Sequence, residues 1–295
     1  MTPPSPSTPS KGSTLSPQGR GQGEGRKDEG KAAEGTRTLT VWHDRVPIRV
    51  HASGAGPALV YFHGPWGLTW GPFLDALAGQ FTVYAPEHPG TSPDAPEAIQ
   101  HVDHLWDLVL CYDELLEQLA VRDAMVVGHS FGAMVACEVA AQAPRRVKRL
   151  VLIDPIGLWR DDAPVINWML LSPQEMPGYV FQQPESAAAK ALFSMPADPE
   201  EGALARTRLT WAMGATGKFI WPIPDKGLKK RIHRVDAPTL LVWGEADRLV
   251  PRAYAKDFAD RLTDTRLEVV AGAGHAPQLE QPEATARVVQ AFLKI

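Results

Sequence analysis

Ala124-Met125-Val126-Val127-Gly128-His129-Ser130-Phe131-Gly132 is the stretch that decides the fold of this chain. Four apolar residues run into a glycine-bracketed turn, and a helix-forming run from Ala133 to Ala143 follows. Strand, tight turn and helix form the setting in which G-x-S-x-G makes a sharp elbow. Such an elbow forces its serine into a strained backbone conformation, so the residues at 128 and 132 must be small. The hydroxyl then stands clear of the sheet, at the positive end of the next helix. Taken alone, the pentapeptide also fits a plain glycine-rich turn with an incidental serine. The flanking chain has to separate the two.

Short apolar runs alternate with helical ones on both sides of this stretch. Thr38–His43 and Val46–His51 alternate around a polar turn at Asp44-Arg45 and predict an antiparallel hairpin. Ala58–His63 and Phe81–Pro86 are continuous apolar runs suited to buried strands, with a short helix at Pro72–Ala78 between them. Val102, Leu105, Val109, Tyr112, Leu116 and Leu119 then recur on one helical face. Asp103 and Asp107 near its start suit the helix dipole. His101 and His104 lie three apart there, but no further ligand set accompanies them, so they read as surface or cap residues. Beyond the elbow helix, Arg149–Asp154, Pro238–Gly244 and Arg266–Ala271 read as strands, with helices at roughly 252–262 and 283–294. The prediction is an α/β fold: an eight-stranded, mostly parallel sheet with helices on both faces.

Two segments depart from this alternation. Residues 1–37 are rich in Pro, Ser, Gly and mixed charge and contain no aromatic residue, which predicts a disordered N-terminal extension. Residues 156–235 contain no strand–helix repeat, but carry prolines and bulky groups that include Trp159, Trp168, Met176, Phe181, Phe193, Trp211, Phe219 and Trp221. They read as a helical cap over the C-terminal edge of the sheet. The core is thereby divided into 38–155 and 236–295. The basic clusters Arg145, Arg146, Lys148, Arg149 and Lys226, Lys229, Lys230, Arg231 read as solvated surface.

Composition bounds the function. A chain of 295 residues, 44% hydrophobic and 22% charged, suits one large domain with an insertion. The net charge of -4 favours neither nucleic acid nor an anionic membrane as partner. A small-molecule substrate is the expected partner, and the oligomeric state is open. The two cysteines, Cys111 and Cys137, fall in helical runs and read as reduced core thiols, with no metal knuckle. No run reaches the length of a membrane span and no apolar signal opens the chain, so a cytoplasmic protein is expected.

A serine hydroxyl becomes a nucleophile when a base takes its proton and a third group orients that base. In a parallel sheet such groups belong on loops beyond the C-terminal ends of later strands. Asp247 lies in the loop after Thr239–Trp243, and His275 lies in a glycine-bracketed loop after Arg266–Ala271. Ser130, Asp247 and His275 thus follow in the order serine, acid, histidine. Glu245 and Asp154 are competing acids; Asp154 also suits a cap at the entry to the insertion, before Pro155. His129, His63 and His88 read as neighbours and structural hydrogen-bonding residues.

With these residues in place, the chain resembles the α/β-hydrolase fold family over about residues 40–295. The resemblance rests on Gly128–Gly132, Trp243–Pro251, Gly274-His275, His63-Gly64 and Glu87–Ser92, and on the position of the cap. It implies Ser130 as nucleophile, His275 as base and then acid, Asp247 as orienting carboxylate, and no cofactor or metal. One oxyanion donor is expected from the backbone N–H of Phe131. The other normally follows the His-Gly pair, where this chain has Pro65, which carries no N–H. Either the Trp66 N–H replaces it or one donor is lost. His63, Pro65, Trp66, Trp159 and Trp168 are the expected pocket residues. The expected function is a serine hydrolase of the carboxylesterase type, cleaving an apolar or aromatic ester or related acyl substrate. Two alternatives stay open: a carbon–carbon bond hydrolase of ring-fission products, and a weakly catalytic ligand-binding homologue.

Overall fold

The computed structural model describes residues 35–294. Eight strands form one sheet: β1 (Gly35–Val41), β2 (Val46–Ser53), β3 (Ala58–Phe62), β4 (Thr82–Pro86), β5 (Ala124–His129), β6 (Val147–Ile153), β7 (Thr239–Gly244) and β8 (Thr265–Val270). Their spatial order is β1-β2-β4-β3-β5-β6-β7-β8. β2 pairs antiparallel with both β1 and β4, and β3 to β8 run parallel.

The strands of the parallel part are continuously apolar because both faces of the sheet are covered. Alternate residues go to opposite sides. Val60, Phe62, Leu150, Leu152, Leu241 and Trp243 pack in one core, under α2 (Leu105–Gln118), α3 (Phe131–Gln142) and α7 (Ala253–Ala259). Leu59, Tyr61, Val151, Ile153, Leu240 and Val242 pack in the other, under α1 (Pro72–Ala78) and α9 (Pro282–Leu293).

Several expectations need correction. Residues 1–34 of the expected extension lie outside the described residues, but Gly35–Arg37 belong to β1, with Gly35 opposite Ala52. The side chains of that end are exposed, so backbone pairing holds it and composition gave no sign. β1 stops at Val41, because Trp42, His43 and Asp44 all turn to positive φ. Val102 is extended and α2 begins only at Leu105, after a 3-10 turn at Pro96–His101. The Asp107 carboxylate accepts the N–H groups of Asp103 and His104, and this fixes the helix start.

Between β6 and β7 lie α4 (Met176–Val180), α5 (Ala187–Phe193), α6 (Pro199–Gly217) and three 3-10 turns, with no strand among them. The basic clusters are not simply solvated. Arg231 holds the buried Glu138 of α3 with bonds of 2.6 and 2.8 Å, and Arg146 bonds Asp113 at 2.7 Å. Arg149 stacks over the Phe292 ring at 5.3 Å. One further turn of helix, α8 (Pro277–Glu280), follows the loop after β8. Cys111 and Cys137 are buried and free, and burial pushes the Cys111 thiol up to about 12. Among the described residues no helix is long and apolar enough to cross a membrane.

Candidate active site

The site is assembled at the C-terminal ends of β5, β6, β7 and β8. β5 ends at His129, and Ser130 occupies positive φ (54°) at the first turn of α3. Its own N–H donates to the Ile153 carbonyl of β6, while its carbonyl accepts from Ala133 and Met134. The conformation is therefore held from both sides, as a strained residue requires. Gly132 permits the elbow to approach β3: a Cβ there would overlap the carbonyl oxygens of Phe62 and His63. The first N–H groups of a helix have no intrahelical acceptor, and those of Phe131 and Gly132, ahead of the Ala133 and Met134 groups that bond the Ser130 carbonyl, are placed to receive a ligand's negative charge.

Three side chains from three loops meet in line. Ser130 Oγ lies 2.8 Å from His275 Nε2, and His275 Nδ1 lies 2.8 Å from Asp247 Oδ2. The second Asp247 oxygen accepts the N–H groups of Leu249 and Val250, at 2.8 and 2.9 Å. That fixes the carboxylate, which in turn fixes the ring with Nδ1–H donating and Nε2 facing the hydroxyl. The side chains of His275 and Asp247 are 0% and 1% exposed, and Ser130 is fully buried. Water screening is absent here, so the polar contacts act at low dielectric.

The neighbouring histidines are spent on structure. His63 Nδ1–H donates to the Gly64 carbonyl, and its Nε2 accepts the His88 N–H at 3.0 Å. His88 Nε2–H donates to the His63 carbonyl at 2.8 Å, and the Tyr112 hydroxyl donates to His88 Nδ1. His129 Nε2–H donates to the carbonyl of His275 at 2.7 Å, which braces the loop carrying that residue. Burial pushes all three rings down, His88 to about 4, so they are neutral near pH 7.

The competing acids have other partners. Glu245 is exposed and its carboxylate accepts the Gly272 N–H at 3.4 Å. Asp154 does not cap the entry to the insertion. Its Oδ1 accepts the N–H of Gly244 across the sheet at 3.0 Å, because β6 and β7 end side by side.

Of the expected pocket residues, Trp66 packs directly against His275. Its ring stands edge-on to His275, with centroids 6.0 Å apart, and it also meets His129 and Phe193. The Trp66 indole N–H is buried without a partner. The Pro65 carbonyl is the far acceptor, at 3.4 Å, of the Thr216 hydroxyl on α6. Trp168 is buried in the main core, and the half-buried Trp159 donates its N–H to Asp161 instead. Phe193, Phe181 and Phe219 supply the ring contacts around Trp66 and Phe131 instead. Phe193 contacts both Trp66 and Phe181, and Phe219 stacks on Phe131. Nothing in their spacing marked them, because the insertion has no regular period. Phe193 also borders a cavity of about 400 Å³ within the insertion, whose lining includes Leu171, Met176, Met195, Leu209 and Met213 together with the polar Gln174, Arg206 and Thr210.

Comparison with known proteins identifies the family. A family model described as "Alpha/beta hydrolase family" matches residues 51–288. Pimeloyl-[acyl-carrier protein] methyl ester esterase of Aromatoleum aromaticum is 30% identical over 257 residues, covering 79% of this chain and 97% of the relative. The enzyme of that name from Vibrio campbellii is 26% identical over 253 residues, covering 81% and 95%. A solved 2-hydroxy-6-oxo-6-phenylhexa-2,4-dienoate hydrolase from Rhodococcus sp. strain RHA1 superposes with a TM-score of 0.65 at 21% identity, over 90% of this chain and 100% of that one. With a match spanning most of its length and a relative aligned over nearly all of its own, the chain belongs to the alpha/beta hydrolase family and is a hydrolase.

Proposed function

We propose that this hydrolase is a serine esterase that cleaves an apolar or aromatic small-molecule ester through an acyl-enzyme. The observation that carries the reading is the buried line Ser130–His275–Asp247, with both contacts at 2.8 Å. His275 Nε2 takes the hydroxyl proton as Ser130 Oγ attacks the carbonyl carbon. The developing oxyanion is received by the N–H of Phe131 at the start of α3 and by the backbone N–H of Trp66, which replaces the donor that Pro65 lacks. Each such donor contributes about 3 kcal/mol to transition-state stabilisation. The protonated His275 then gives its proton to the departing alcohol. A water molecule, activated by the same ring, releases the acid.

The insertion at 156–235 acts as a cap. Phe193 packs edge-on against Trp66 and Phe181 against Phe193, and the cavity beside Phe193, with three methionines in its lining, suits an apolar acyl or alkyl group. The names of the curated relatives, methyl ester esterases, support ester over other acyl chemistry.

A fluorophosphonate probe and short nitrophenyl esters test the proposal. Wild-type protein is expected to be labelled and to turn over the esters. Ser130→Ala is expected to lose labelling and about a thousandfold or more of turnover. Absence of both in folded wild-type protein overturns it. Turnover of a ring-fission diketone without ester turnover replaces it with carbon–carbon hydrolysis.

A further inference from the structure

A second carboxyl group lies against the triad and takes no part in the chemistry described above. Asp154 follows β6 at positive φ (42°) and its side chain is completely buried. Oδ1 accepts the Gly244 N–H, and Oδ2 has no donor. One oxygen of Asp154, one of Asp247 and one ring nitrogen of His275 lie within 4.8 Å of one another.

Two carboxylates this close in a dry interior do not both ionise. The hydrogen bonds decide which one holds the proton. Asp247 accepts three donors: Leu249 N–H, Val250 N–H and His275 Nδ1–H. Asp154 accepts one. Charge therefore settles on Asp247, and the proton on Asp154 occupies Oδ2, the oxygen without a donor. Burial first, and the Asp247 charge second, push the Asp154 carboxyl well above the usual carboxylate range, in the same direction.

We propose that Asp154 is a neutral carboxylic acid whose Oδ2–H points to Asp247 and tempers the charge that Asp247 presents to His275. It is a positioning residue, and its effect on catalysis rests on the triad reading above. A donor on Asp247 draws charge away from the imidazole. The other titratable groups at this corner are engaged. His129 is held neutral by burial, and Glu245 accepts the Gly272 N–H. Arg248 donates to the Gly178 carbonyl, and Glu280 of α8 accepts from Gly274, Gln182 and Gln183.

Two variants and two readouts test this in the full chain. At pH 7 the infrared spectrum of the wild type should contain the carbonyl band of a buried protonated carboxyl group that Asp154→Asn removes. This readout needs no activity, so it stands even if Ser130 fails to label. The second readout is the pH dependence of phosphonate labelling at Ser130. Asp154→Asn keeps a donor and should leave the acid limb in place. Asp154→Leu has none and should move that limb to higher pH by about half a unit or more. An ionised Asp154 gives the opposite sign, since either variant then removes a negative charge beside His275 and moves the limb to lower pH. That result, a missing infrared band, or an unmoved limb in folded Asp154→Leu overturns the proposal. If Asp154→Leu does not fold, the infrared band and the Asp154→Asn profile decide.

Discussion

Ser130 sits in a strained backbone conformation at the end of β5. A non-glycine residue at positive φ costs on the order of 1–3 kcal/mol and survives only where its surroundings fix it. Here Ile153 of β6 and the first turn of α3 do so. The same economy holds for Asp247, whose free oxygen is pinned by two backbone N–H groups of its own loop. Asp247→Asn removes the charge and, with the amide nitrogen toward the ring, favours the wrong tautomer of His275. Turnover of nitrophenyl esters should fall about 10⁴-fold. An unchanged circular dichroism spectrum would show that the fold survives. Near-normal turnover would transfer the role to Asp154 or Glu245. Ser130, Asp247 and His275 were legible because each follows a strand with a tight loop, in a fixed order. The contact of Asp154 with Asp247 was not. It depends on how far β6 and β7 run before they end, which is a property of their pairing.

The elements meet at close quarters where glycine allows it. Gly132 lets α3 start against β3, and Gly244 lets the loop after β7 pass against Gly274, with the Ala273 carbonyl 3.0 Å from where a Cβ would stand. The insertion is tied back to the core by an ion pair that the sequence hid inside a basic cluster. Arg231 leaves the insertion and grips Glu138 on α3, which is buried from Phe131 to Ala141. Charge density alone suggested solvated surface; the partner is 93 residues away and only the folded chain brings it near. Arg231→Met leaves Glu138 unpaired in the interior. The expected destabilisation is about 2 kcal/mol, below that of a fully buried pair because the arginine is partly exposed. Urea unfolding measures it, and a change under about 0.5 kcal/mol, the size of an ordinary surface substitution, would contradict the pairing.

Across the whole molecule, the parallel sheet brings strand ends far apart in sequence to one edge and encloses their polar groups. Three neutral histidines, His63, His88 and His129, are buried there. Each is harder to protonate in the folded chain than in the unfolded one. The unfolded state therefore takes up more protons below pH 6.5, and stability falls as pH falls. For His88, depressed from 6.5 to about 4, the loss across that window is about 3 kcal/mol. Urea midpoints at pH 7, 6 and 5 should decline in that order, and a flat series would show that these rings are protonated without cost. The sequence by itself determined the strand order along the chain, the elbow, the loop positions of the three side chains that meet there and the apolar insertion, because these are written in local period, turn residues and loop placement. Tertiary structure alone decided which side chains of the insertion reach Trp66, where Arg231 finds its carboxylate, and that Gly35–Arg37 join the sheet. It also set Asp154 beside the acid at Asp247. Those outcomes depend on packing and strand register between distant segments, which no local pattern encodes. The elbow at Ser130 is where the two meet: its glycines are local, and the carbonyl groups they make room for come from another strand.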